Sequence, residues 1–184
     1  MRSFYSVFFL SLFCFAVSCF SPPSDKAMLS DTYLNKQLKD YKSVLLVFTG
    51  TAVDRTILEN LGLELTKKLK KKNIVVTTEY FSDENSKTTN HLLRVINKKQ
   101  ADAVMVFTPL NGAKVKEYYG GIQGLETRQA KTSQRYDVRL YDEDEKPVWG
   151  ARLNIHITID SKRPYSKIAD KILLHMYENA ILKK

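Results

Sequence analysis

The sequence predicts an α/β fold: a three-strand βαβαβ parallel unit, extended by an antiparallel hairpin and closed by a C-terminal helix. Three observations lead there. Ser43 to Thr49 and Ala103 to Thr108 are almost wholly apolar, as strands buried on both faces are. Leucines at helical spacing separate the first of these from the β-rich run Ile74 to Phe81. From Tyr136 the pattern changes to strict alternation of apolar and polar residues, which marks a hairpin with one buried face.

Taken in order, the first strand ends at Gly50, and Thr51 with Asp54 three residues on suits a helix N-terminal cap. The helix it opens, about Asp54 to Lys71, carries Ile57, Leu58, Leu61, Leu65 and Leu69 on one stripe. It closes in Lys67, Lys68, Lys70, Lys71 and Lys72, where cations complement the C-terminal dipole. After the second strand, Ser82 to Asn85 breaks the pattern. Leu92, Leu93, Val95 and Ile96 then predict a second helix over about Lys87 to Lys99. The third strand ends at Pro109. Strand, helix, strand, helix, strand with buried strands implies right-handed crossovers and a parallel sheet.

Leu110 to Ser133 is the least regular stretch, with Tyr118-Tyr119-Gly120-Gly121-Ile122 inside it. A connection of that length in a compact domain is expected to be functional or mobile. Tyr136 to Tyr141 and Trp149 to Ile159 form the hairpin, turning through Asp142 to Pro147. Trp149, Ala151, Leu153, Ile155, Ile157 and Ile159 face one way, and Arg152, Asn154, His156 and Thr158 the other. Pro164 and Ser166 open the last helix, whose stripe is Ile168, Ile172, Leu173, Met176 and Ile181.

The N-terminus reads as an address. Arg2, an apolar block from Phe4 to Val17 and the small Ser18 are the parts of a secretory signal. The block is shorter than the roughly 20 residues that cross a hydrocarbon core. Ala16-Val17-Ser18-Cys19 resembles the lipobox of bacterial lipoproteins, although that family prefers Leu where this chain has Ala16. The resemblance implies cleavage before Cys19 and acylation of its thiol. With Phe20 rather than Asp next, it implies the outer membrane where the cell has one. The same residues also fit an ordinary secretory leader beside an unmodified cysteine, or a short uncleaved anchor. The expected organisation is a signal peptide over 1–18, a lipidated cysteine and tether over 19–40 with a turn of helix near Asp31 to Leu38, and one α/β domain over 41–184.

Composition narrows the chemistry. Both cysteines, Cys14 and Cys19, precede the domain, which excludes disulfides, thiol catalysis and cysteine-ligated metal within it. The formal charge of +9 would suggest nucleic acid in the cytoplasm. Outside it, anionic lipid and glycan are the natural counterparts, so no nucleic-acid partner is expected. His91, His156 and His175 lack zinc-ligand spacing, Gly50-Thr51 lacks either phosphate-loop pattern, and no Ser sits in a nucleophile elbow. No cofactor or metal and no catalytic residue is expected.

Two surfaces remain as candidates. Tyr118, Tyr119 and Ile122 form the best partner-binding candidate, since tyrosine on a Gly-rich loop offers large contact area at low entropic cost; the structural alternative is a hairpin tip packed on the sheet edge. The lysine cluster Lys67, Lys68, Lys70, Lys71 and Lys72 is the anionic-surface candidate, or else a solvated helix end.

From Ala101-Asp102-Ala103-Val104, the hairpin Tyr136-Asp137-Val138-Arg139-Leu140-Tyr141-Asp142, and Val148-Trp149 after the turn, the chain resembles a group of small uncharacterised bacterial lipoproteins. Its layout is similar to α/β domains of lipoproteins that assist wall synthesis or secretion at the outer membrane. The resemblance implies a non-enzymatic, membrane-anchored envelope protein that binds a protein or glycan. A small envelope hydrolase, its site assembled only in three dimensions around His156, is the alternative.

Overall fold

The computed structural model describes residues 26–34, 40–82, 101–110, 114–120, 127–142, 147–159, 161 and 163–182. They form a mixed α/β arrangement of one seven-stranded sheet and two helices. The strands are β1 (Lys26–Leu34), β2 (Ser43–Gly50), β3 (Val75–Ser82), β4 (Ala103–Pro109), β5 (Lys114–Gly120), β6 (Thr127–Asp142) and β7 (Pro147–Thr158). The helices are α1 (Ala52–Lys70), between β2 and β3, and α2 (Arg163–Glu178), after β7.

The sheet runs β1-β7-β6-β4-β2-β3, with β5 on β6. β2 pairs parallel with β3 and with β4, and every other pairing is antiparallel. The change from continuous apolar runs to alternation therefore marks a real boundary, where the parallel strands give way to the antiparallel ones. The expected helix from Lys87 to Lys99 lies outside the described residues, as do Cys19, Ile122 and the whole leader.

Alternate residues of the central strands serve two cores. Val44, Leu46, Phe48, Met105 and Phe107 join the buried stripes of α1 and α2 and the inward residues of β6 and β7 in the main core. Leu45, Val47, Val104 and Val106 form a second cluster on the opposite face. Burying a side chain of this size contributes about 1.5–3 kcal/mol. Gly62 lets α1 approach closely, for a Cβ there would lie 2.8 Å from the Phe48 ring.

Two polar devices fix the frame. At the start of the parallel strands, the Lys42 and Ser43 amides donate to Asp102 Oδ2 at 2.7 and 2.9 Å, and the Asp102 amide donates to Ser43 Oγ at 2.9 Å. The Lys42 amide, chiefly, holds the Asp102 carboxyl below its ordinary range. At the other end, Thr51 and Asp54 form the expected reciprocal cap of α1. The cap also does something that local sequence does not reveal. Asp54 is fully buried, and its Oδ1 accepts from Gln134 Nε2 at 2.8 Å and from the Tyr136 hydroxyl at 2.9 Å, both on β6. Its Oδ2 accepts from the Thr51 amide at 3.0 Å and the Thr51 hydroxyl at 2.7 Å. Burial first, and then the Asp54 carboxylate, pushes the Tyr136 hydroxyl well above the usual tyrosine range.

Residues 26–34, expected within a tether that turns helical near Asp31, are instead the strand β1. Its residues pair with β7 from Lys26↔His156 to Leu34↔Trp149. The inward residues Ala27 and Leu29 pack on the main core, and Lys171 of α2 donates to the Ala27 carbonyl at 2.6 Å. With only two such apolar residues to bury, the segment reads locally as a spacer; pairing with β7 makes it a strand. Trp149, the sole tryptophan, is buried and donates from Nε1 to His175 Nδ1 at 3.1 Å, which joins β7 to α2.

Replacing Asp54 by Ala leaves four donors facing a void and is expected to cost about 3 kcal/mol or more. Asn keeps one oxygen for Gln134 and Tyr136 but turns its NH₂ toward the Thr51 amide, and is expected to cost less than Ala, about 2 kcal/mol. Urea unfolding of the two variants checks this order.

Candidate functional site

Among the described residues, the tyrosine pair and the lysine cluster expected from sequence lie on separate elements, β5 and α1 with the turn after it. Tyr118 and Tyr119 lie in β5, where their backbones pair with Gln129 and Arg128. The stretch expected to be irregular is thus largely a hairpin in register from Lys114↔Ser133 to Gly120↔Thr127. β7 reaches along β6 only to Lys131, and β4 only to Tyr136. Among the described residues, Glu117–Gly120 and Thr127–Ala130 therefore pair only with each other. They form a two-stranded arm roughly 13 Å long at about 3.3 Å per residue.

The lysine cluster stands at the far end of α1. Lys67, Lys70, Lys71 and Lys72 are exposed there. Lys68 is half-buried and reaches Asp170 of α2 at 2.8 Å, and Lys72 Nζ lies 5.7 Å from the centroid of the Tyr177 ring. Two of the five cations thus also serve the packing of α1 against α2. His156 lies between Lys26 and Ser133 in register, and His175 is engaged by Trp149; His91 lies outside the described residues. Among the described residues, no three His, Cys, Asp or Glu side chains gather as a metal site.

A cleft that sequence reasoning had not singled out opens where the carboxyl ends of β2 and β3 meet the N-terminus of α1. Its volume is about 200 Å³, and Phe48, Thr49, Thr51, Arg55, Tyr80 and Phe81 are among its walls. This is where open α/β sheets commonly bind ligands. Gly50, at φ 136°, makes the turn, and a Cβ there would lie 2.7 Å from that of Asp54. Phe48 stacks on Tyr80 with centroids 5.1 Å apart, and the Arg55 guanidinium stands 5.7 Å from the Tyr80 ring while bonding Glu59 at 2.7 Å. At the helix end the Thr51 amide and hydroxyl both point to Asp54. The cleft offers an aromatic wall and an arginine, a surface suited to apolar or planar groups. The signal available in sequence was the pair Phe48 and Tyr80, one near the end of each parallel strand.

A second depression lies on the outer face of the antiparallel half. It measures about 420 Å³ and is lined by Tyr33, Asp137, Arg139, Gly150 and Arg152, among others. Arg139 bonds Asp137 at 2.7 Å, and that carboxylate, above all, raises the guanidinium further.

No family model matches the chain, and no curated protein does either. Solved structures with a similar backbone layout include the PelC dodecamer of Paraburkholderia phytofirmans, at TM-score 0.46 and 13% identity, covering 86% of this chain and all of that one. A single-substitution form of the same dodecamer gives TM-score 0.47 and 11% identity over the same shares. A PDZ domain protein from Parabacteroides distasonis gives 0.37 and 9%, over 84% of this chain and 36% of that one.

Burial first, and then Glu59, pushes the Tyr80 hydroxyl up from 10.0 to about 12, with Arg55 opposing. Folding thus favours its protonated form. The resulting stabilisation is complete below pH 10.0 and is lost as pH rises toward about 12. Tyr80→Phe is expected to flatten the fall of stability across that window, as followed by urea midpoints at successive alkaline pH values.

Proposed function

We propose that this chain is a non-enzymatic envelope lipoprotein, held to a membrane through acylated Cys19 after loss of residues 1–18. Its α/β domain binds an envelope protein or glycan by way of the β5–β6 arm, in an accessory role in envelope assembly or secretion. The outer membrane is the proposed location. A second crossover through residues 83–100 would complete the βαβαβ unit that the parallel strands β2, β3 and β4 suggest.

The observation that carries the binding half is the arm. Its four-residue stretches contribute no pairing to the body of the sheet among the described residues. Extended edges of this kind accept partners through backbone hydrogen bonds, with side chains setting specificity. The membrane half rests on the address from Arg2 to Cys19, and the six residues between Cys19 and Lys26 leave room for a short tether. No described helix is long and apolar enough to cross a membrane. Acyl chains contribute about 0.8 kcal/mol per buried CH₂, so a multiply acylated Cys19 holds firmly.

Cells fed radiolabelled palmitate are expected to label the wild-type protein and to leave Cys19→Ser unlabelled and out of the membrane fraction. Tyr118→Ala with Tyr119→Ala is expected to keep the label and the unfolding midpoint while losing photo-crosslinks formed from position 117. An unlabelled wild type contradicts the anchor; unchanged crosslinks in the double variant contradict the arm as the binding element.

A further inference from the structure

The strand register brings the β5–β6 arm and the aromatic cleft to the same end of the sheet. Tyr136 to Tyr141 of β6 pairs with β4 on one edge while β7 holds the other, and Lys131 to Ser133 does the same with β5. β4 and β5 therefore follow one another along a single edge of β6, both antiparallel to it. Pro109 stands opposite Tyr136 and Lys114 opposite Ser133, so β5 begins three residues, about 10 Å, beyond the end of β4. Because β4 runs parallel to β2 and β2 to β3, that line leaves the sheet at their carboxyl ends, where the cleft opens.

β2 is the neighbour of β4 in the sheet, but it stops at Gly50 and the chain turns away into α1. Among the described residues, no strand pairs with the edge of β5 that faces away from β6. A strand added to that edge would continue the line of β2 past Gly50. Its residues nearest Gly50 would pass over Thr49, Thr51 and Ala52 at the mouth of the cleft. Side chains on the face that carries α1 would point into it, since Phe48 and Tyr80 belong to that face.

The size and the walls of the cleft decide what such a side chain is. Its volume is about 200 Å³, below the roughly 300–1,000 Å³ of pockets that take whole drug-sized ligands. A cavity of about 150 Å³ takes benzene, so one aromatic ring is the group that fits. Phe48 and Tyr80 stack as an aromatic wall, and Arg55 stands over Tyr80. Arg55 bonds Glu59 through Nε at 2.7 Å, a contact in the guanidinium plane, and its side chain is 66% exposed. The flat faces of a guanidinium stack on aromatic rings, an attraction that needs no net charge in the cleft.

We infer that the partner is a protein that contributes an extended segment, which pairs with the free edge of β5 and seats one aromatic side chain in the cleft beside Tyr80 and Arg55. The inference rests on the arm reading proposed above. Backbone hydrogen bonds to β5 hold the segment, and the cleft selects the ring, as strand-addition sites divide affinity from specificity.

The test uses the full-length protein in its own cells. An aliphatic diazirine residue is placed at position 117, on the arm, or at position 52, on the exposed rim of the cleft, and the crosslinked segments are identified by mass spectrometry. Both positions are expected to mark the same segment of one protein, with Phe, Tyr or Trp beside the position-52 adduct. Ala52→Trp, whose own ring fills the cleft from its rim, is expected to lower the position-117 adduct at least ~3-fold. Arg55→Lys keeps the charge but loses the planar face, and is expected to lower it to a similar extent. Both variants are expected to keep the unfolding midpoint. Position-117 adducts that survive both substitutions overturn the seated ring and leave the arm standing. So do position-52 adducts that are absent, fall on a glycan, or mark a segment with no aromatic residue. A wild type with no adduct from position 117 overturns the arm, and the inference with it.

Discussion

The fold depends on a buried carboxylate. Asp54 begins as a local cap at the first turn of α1, but its second oxygen reaches β6, some 80 residues on, through Gln134 and Tyr136. A buried charge is tolerated only when its acceptor sites are filled. All four donors must therefore arrive together. That requirement fixes the start of α1 against the middle of β6, and so the parallel half of the sheet against the antiparallel half. The cleft walls, the root of the arm and the turn at Gly50 all take their positions from this node.

Much of this architecture could be read directly in the sequence. Buried parallel strands announce themselves by unbroken apolar runs, so Val44 to Phe48 and Ala103 to Phe107 were evident. Thr51 and Asp54 form a short-range capping pattern, and the leucine stripe of α1 is periodic over several turns. The alternation from Trp149 to Ile157 gave both the strand and its inward face. In each case the deciding interaction lies within a few residues, or within the period of one element.

What escaped reading is what depends on distant pairing. β1 has few inward apolar residues, and it is a strand because β7 lies beside it. The arm escaped for a similar reason: Lys114 to Gly120 is rich in charge and aromatics, with no steady alternation, and its register comes from β6. Asp54's partners on β6, the aromatic cleft and the depression on the outer face all join residues far apart in the chain. The lysine cluster showed the converse. It was conspicuous in sequence, yet Lys68 is partly spent on Asp170 and Lys72 on Tyr177.

In the proposed function the α/β body presents the β5–β6 arm to a partner, and acylated Cys19 holds the protein at a membrane. The membrane half of that proposal turns on the covalent state of Cys19. The most direct measurement is the intact mass of the protein extracted from its own cells. The account predicts a chain beginning at Cys19 with the added mass of a diacylglyceryl group, with or without a further acyl chain. A chain that keeps residues 1–18, or one that begins at or near Cys19 with its thiol unmodified, would contradict it.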